Sequence, residues 1–192
     1  AHLDISDIRF LGYRDSGMEG SAEAQNPAAF VQAPVAEAAA RLAAMIREIK
    51  PDTIVTFGED GVYGHPDHIH LHHVAVQAVA DAGDPAFGEG EPWRTPYLYF
   101  ATAPREDMEM MLNRPNSPLA SISERARANL GTPRAHITDS VDVSPWIAQK
   151  QDAFLAHLSQ TGEGGPLSGT PEAAMEARLK SEHFVRAALP WQ

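Results

Sequence analysis

An α/β fold, a mostly parallel sheet flanked by helices, is predicted from three observations in this sequence. Strand-like and helix-like segments alternate along the chain, which is the rhythm of such folds. Thr53-Ile54-Val55-Thr56-Phe57 is a compact β-branched run, suited to a strand buried on both faces of a parallel sheet. A histidine-rich loop follows that run directly, at the place where open parallel sheets bind ligands beyond the carboxyl ends of their strands.

In chain order, Ile8-Arg9-Phe10-Leu11-Gly12-Tyr13 reads as a short strand ended by the polar turn Arg14-Asp15-Ser16-Gly17. Glu19 to Pro34 is rich in Gly, Ser, Ala, Asn and Pro, a long surface loop. From Val35 to Lys50, Val35, Ala39, Leu42, Ile46 and Ile49 recur at helical spacing, with Glu37, Arg41, Arg47, Glu48 and Lys50 largely elsewhere. Pro51-Asp52 stops this helix. Pro66 opens another at its first position, running to about Ala82 and stopped by Gly83. Tyr97–Phe100 is a further strand, and Arg105–Leu112 a helix. A short strand over His136–Val143 then leads into a helix over Ser144–Leu158. A Gly/Pro/Ser loop, Thr161 to Pro171, precedes a final helix near Glu172–Ala188. The expected organisation is a single domain over residues 1–192.

Composition narrows the function classes. Fifteen basic residues against 26 acidic ones give a net charge of −11. That argues against nucleic-acid phosphate recognition and against a polybasic membrane surface. No apolar run approaches ~18 residues, so nothing spans a bilayer as a helix. Cysteine is absent, which excludes disulfides, thiolate metal sites and a cysteine nucleophile, and fits a reducing, cytoplasmic setting. Nine histidines are present, and five of them, His65, His68, His70, His72 and His73, lie close together.

Gly61-Val62-Tyr63-Gly64-His65-Pro66-Asp67-His68 gathers two imidazoles, a carboxylate and a phenol. His68 and His72 share a face of the expected helix. His65 stands at its N-terminus, where the helix dipole favours the neutral, metal-binding imidazole. Asp67 has two readings, a helix cap or a carboxylate that orients an imidazole. His70, His72 and His73 read as ordinary surface or satisfied histidines.

The string Lys50–Phe57 followed by Gly61–His68 closely resembles the PIG-L/LmbE-like zinc-dependent N-deacetylases, a family that also includes an amidase. Phe10–Met18 is similar to the segment preceding the loop and helix in those proteins, and Ala156-His157-Leu158-Ser159-Gln160 to a segment near their C-terminus. The resemblance implies a Rossmann-like sheet, a zinc ion bound by two histidines and an aspartate, and a small-molecule N-acylated amino-sugar substrate such as an N-acetylglucosamine conjugate. It further implies that His68 is a metal ligand and that His65 is the general acid or the stabiliser of the tetrahedral intermediate. Asp67 would be the carboxylate partner of His65, Tyr63 a phenol near the oxyanion, and Arg14 and Asp15 residues of the substrate pocket.

One family motif, Ala-His-Pro-Asp-Asp-Glu, does not occur here. Ala1-His2-Leu3-Asp4-Ile5 imitates its start, but Ile5 stands where an aspartate ligand belongs, and His2 and Asp4 read as coincidence. The sheet is therefore expected to lack its N-terminal strands, and the chain to hold zinc weakly. Either self-association or a complementing N-terminal segment is expected to cover the strands left bare. Two other readings remain open: a non-catalytic small-molecule or partner-binding module, and an independent metal site built from His65, His68 and His72.

Overall fold

The computed structural model describes residues 3–114, 117, 122–158 and 180–192. Its elements are α1 (Val35–Ile49), β1 (Thr53–Phe57), the single distorted turn α2 (Gly61–Gly64), α3 (Pro66–Gly83), β2 (Tyr97–Thr102), α4 (Arg105–Leu112), α5 (Glu124–Ala128), β3 (Asp139–Asp142), α6 (Ile147–Leu155) and β4 (Ser181–Arg186). Helices flank a four-stranded sheet of order β1-β2-β4-β3, so the α/β class holds. β1 and β2 are parallel and joined through α3, with Ile54 opposite Leu98 and Thr56 opposite Phe100. β4 runs antiparallel to β2 and to β3.

The core lies between one face of this sheet and the paired helices α1 and α3. Ala38, Ala39 and Ala43 on α1 meet Val74, Ala78, Val79 and Ala82 on α3, and Leu98 closes the layer from β2. Small side chains let the helix backbones approach closely. Burial of each valine or leucine there stabilises the fold by about 1.5–3 kcal/mol. The buried stripe of α1 is centred nearer Ala38 and Ala43 than its spacing predicts, and Ile49 is exposed. Arg47, expected outside, is buried at the end of α3, where it donates to the carbonyls of Asp81, Ala82, Asp84, Glu89 and Gly90. Gly83 is the last residue of α3, with Asp84 as its C-cap, and takes no left-handed conformation. A Cβ there would stand 2.6 Å from the Trp191 ring.

Other expectations need correction. Ile8–Tyr13 forms no strand, and Phe10 is 86% exposed. Thr53–Phe57 is a strand as predicted but lies at the sheet edge. Thr56 is buried against the helices, whereas Val55, on the opposite face, is 55% exposed. Within the expected last helix, Ser181–Arg186 is instead the strand β4. Thr161–Pro171 and residues 172–179 lie outside the described residues. No helix of the described residues is long and apolar enough to cross a membrane.

Candidate functional site

The motif is positioned by the chain leaving β1. Asp60 caps the distorted turn α2, its carboxylate accepting the Val62 amide at 3.2 Å. Gly61 takes φ +61°, and a Cβ there would meet the His68 Cβ at 2.9 Å, so only glycine fits. Val62 follows at φ 68°, ψ −48°, a conformation that a β-branched residue adopts only under strain. Two consecutive left-handed residues swing Tyr63 against a small apolar cluster of Met108, Ile122 and Leu130. His65 then caps α3, its Nδ1 accepting the Asp67 amide at 3.2 Å, and Pro66 occupies the first turn.

These turns bring Tyr63, His65 and His68 together. The His65 and His68 ring centroids are 4.9 Å apart, and Tyr63 stands edge-on to His68 at 5.1 Å and to His65 at 6.1 Å. His68 stacks on Phe57 at 3.9 Å with its Nδ1 3.1 Å from the Gly61 carbonyl. Burial holds the His68 imidazole below its ordinary pKa, with the His65 charge acting the same way. The Gly61 carbonyl, Asp67 and Asp15 oppose that shift. The Tyr63 phenol is pushed up, by burial first and by the Asp15 carboxylate second.

The Arg14–Gly17 block reaches this cluster from a distance of some fifty residues in the chain. The Asp67 carboxylate accepts the Ser16 amide at 3.0 Å, and its other oxygen is buried without a hydrogen-bond partner. It is turned to Ser16, not to the His65 ring, so Asp67 joins loop to helix. Sequence reasoning passed over Ser16, which is fully buried. Its Oγ accepts the Val31 amide and its carbonyl accepts the Ser21 hydroxyl. Asp15 is exposed and accepts the Gly17 amide. Arg14 is exposed and is fixed through its backbone, bridged to Ala29.

His68 suits a metal ligand. Its Nδ1 is engaged by a carbonyl, which orients the ring and leaves Nε2 as the donor of a neutral imidazole. Among the described residues, however, no three His, Asp or Glu side chains are placed to share an ion. His72 does not converge with His65 and His68 on one ion. Its Nδ1 lies 3.0 Å from the Phe57 carbonyl and its ring edges against Phe100. His70 edges against Phe30, its pKa lowered by burial. His157 engages the Ala153 carbonyl through Nδ1, and Ser159 and Gln160 lie outside the described residues.

Beside the motif opens a cleft of about 750 Å³. Gly58 to Asp60, Pro66 and His73 line one part of it, and Arg105, Thr132 and His136 another. Neither Tyr63, His65 nor His68 lines it.

Residues 1–79 match the family model described as GlcNAc-PI de-N-acetylase, PIG-L. A Thermobifida fusca protein named 1D-myo-inositol 2-acetamido-2-deoxy-alpha-D-glucopyranoside deacetylase is 41% identical over 172 residues, covering 86% of this chain and 60% of that protein. A Streptomyces avermitilis protein of the same name is 38% identical over 193 residues, covering 95% of this chain and 66% of that protein. The chain thus spans about 60% of the length of the first of these relatives. A crystal structure of a conserved protein from Thermus thermophilus shares the fold, with a TM-score of 0.55 at 24% identity over 95% of this chain and 68% of that one. A family-model match across the histidine motif, together with such identity to these deacetylases, shows that the chain belongs to the PIG-L/LmbE-like family.

Proposed function

We propose that this chain carries the histidine motif of a zinc-dependent hydrolase that removes the N-acetyl group from an amino-sugar conjugate, with a glucosaminyl-inositol the leading substrate. The observation that carries this reading is the Tyr63–His65–His68 cluster at the carboxyl end of β1. The names of the relatives support the substrate class.

Zinc, when bound, supplies polarisation of the acyl carbonyl and a water acidic enough to ionise near pH 7. His68 is the described residue that would hold it, through Nε2. His65 spends Nδ1 as an acceptor, so a neutral His65 carries its proton on Nε2 and is ready to donate. That proton serves the developing oxyanion or the departing amine. Tyr63, its phenol held protonated by burial, supplies a second donor. Asp67 keeps α3 and the Arg14–Gly17 block in register around the substrate.

The test measures zinc content and release of acetate side by side in the protein that carries this sequence. His68→Ala should lose both together. His65→Ala should keep its metal and lose on the order of 10²–10⁴ in kcat. Should His65→Ala be equally metal-free, His65 is a ligand and the roles are reversed. No acetate release with zinc supplied would favour the second reading, a non-catalytic binding module, which rests on there being one assigned donor among the described residues.

A further inference from the structure

The cleft beside the motif lies where parallel β1 and β2 both end, since Gly58–Asp60 follows β1 and Arg105 follows β2. Ligands of open α/β sheets bind in that position. Arg105 is fixed there by a close approach of two backbones. Its amide donates to Thr132 at 2.8 Å, the Thr132 amide donates to Ala103 at 2.9 Å, and Gly131 takes φ +64° with no room for a Cβ beside the Ala103 carbonyl. One guanidinium nitrogen, Nη2, donates to the Gly131 carbonyl at 3.2 Å. Nε is buried with no hydrogen-bond partner, and no carboxylate of the described residues comes within ion-pair distance. The buried Arg47 has its guanidinium filled by five backbone carbonyls, whereas the half-buried Arg105 has one carbonyl and an unpartnered Nε. The carboxylates at the same cleft do not fill the role. Asp60 already accepts the Val62 amide, and Glu19 and Glu59 are exposed and form no ion pair with Arg105.

We infer that this cleft is an oxyanion-binding subsite and that Arg105 is its recognising group, its guanidinium, whose Nε has no partner within the protein, taking a carboxylate or phosphate. A planar fork with free Nε suits such oxyanions better than an ammonium would. The oxyanion has two possible sources: a phosphate carried by a bound ligand, or the carboxylate that the proposed hydrolysis releases next to the cleft. Oxyanion binding itself does not depend on that hydrolysis.

The experiment titrates the isotope-labelled chain with inorganic phosphate and, separately, with acetate at fixed pH and ionic strength, followed by amide shifts in NMR. Saturable shifts at Arg105 and Thr132 are expected, with a dissociation constant in the millimolar range. Arg105→Gln should weaken binding at least tenfold and Arg105→Lys less, whereas Arg94→Gln, an exposed charge outside the cleft, should leave it unchanged. Tighter acetate points to the released carboxylate, and tighter phosphate to a phosphate-bearing ligand. Shifts that grow linearly without saturating, or equal affinity in Arg105→Gln, overturn the assignment. Where Arg105→Gln does not fold, His73→Trp fills the cleft from α3 without touching the guanidinium, and undiminished binding in that variant overturns the assignment equally.

Discussion

Val62 is the residue at which the motif stores strain. A β-branched side chain at φ 68° costs of order 1–3 kcal/mol and persists because Asp60 holds its amide and His68 holds the Gly61 carbonyl beside it. Val62→Gly should therefore raise stability by about 1 kcal/mol while freeing Tyr63, and so lower the rate of the proposed deacetylation severalfold. Calorimetric melting and acetate release measured on one preparation decide this. An unchanged melting temperature would show that the strain is not relieved. The Gly61–His68 string itself is plain in the sequence, because two histidines, a carboxylate and a phenol so close after a strand are hard to explain by packing alone. The consecutive left-handed residues were not legible, since valine carries no signal for positive φ.

Among the elements, α1 was readable from its hydrophobic period, β1 from its β-branched run and α3 from its bounding Pro66 and Gly83. β4 was not. Ser181–Arg186 has ordinary helix-compatible residues, and its strand form comes from pairing with β2 and β3, a tertiary effect that overrides propensity. Arg47 was misplaced for a similar reason. Its charge suggested solvent, yet three carbonyls at the end of α3 and two in the loop beyond it satisfy it, where the helix dipole also favours a cation. Arg47→Met should leave those carbonyls unpaired and cost about 3 kcal/mol or more, read from urea unfolding. A cost under about 1 kcal/mol would show that water replaces the guanidinium. The β3–β4 pair adds a pH dependence. Burial, reinforced by Arg134, holds His183 below its ordinary pKa, with the Ser140 hydroxyl at its Nδ1. The unfolded chain therefore binds the proton first. The stability contributed by neutral His183 is present above about pH 6.5 and is lost as pH falls below it. His183→Gln should flatten the decline in melting temperature between about pH 7 and 5, and an unaltered slope would contradict this.

At the scale of the whole molecule, the described residues leave two sets of apolar side chains exposed. Leu3, Ile5, Ile8 and Phe10 are exposed along the N-terminal segment, and Val55 and Tyr97 on the sheet. Stable monomers seldom expose large apolar patches. The chain should accordingly self-associate as concentration rises, and the pair Phe10→Glu with Val55→Lys should reduce that association in light scattering. A monodisperse 20.8 kDa wild-type species across the range would count against it. The sequence shows where the apolar residues are, but the sheet's edge position had to be seen in three dimensions.

The bond from the Ser16 amide to Asp67 links two blocks that lie 51 residues apart, one on a loop and one at the first turn of α3. Its proton sits at a fully buried residue and is released to solvent only when loop and helix part. Deuterium uptake at that single position thus clocks how often the Arg14–Gly17 block parts from the first turn of α3, with no substrate present and no label attached.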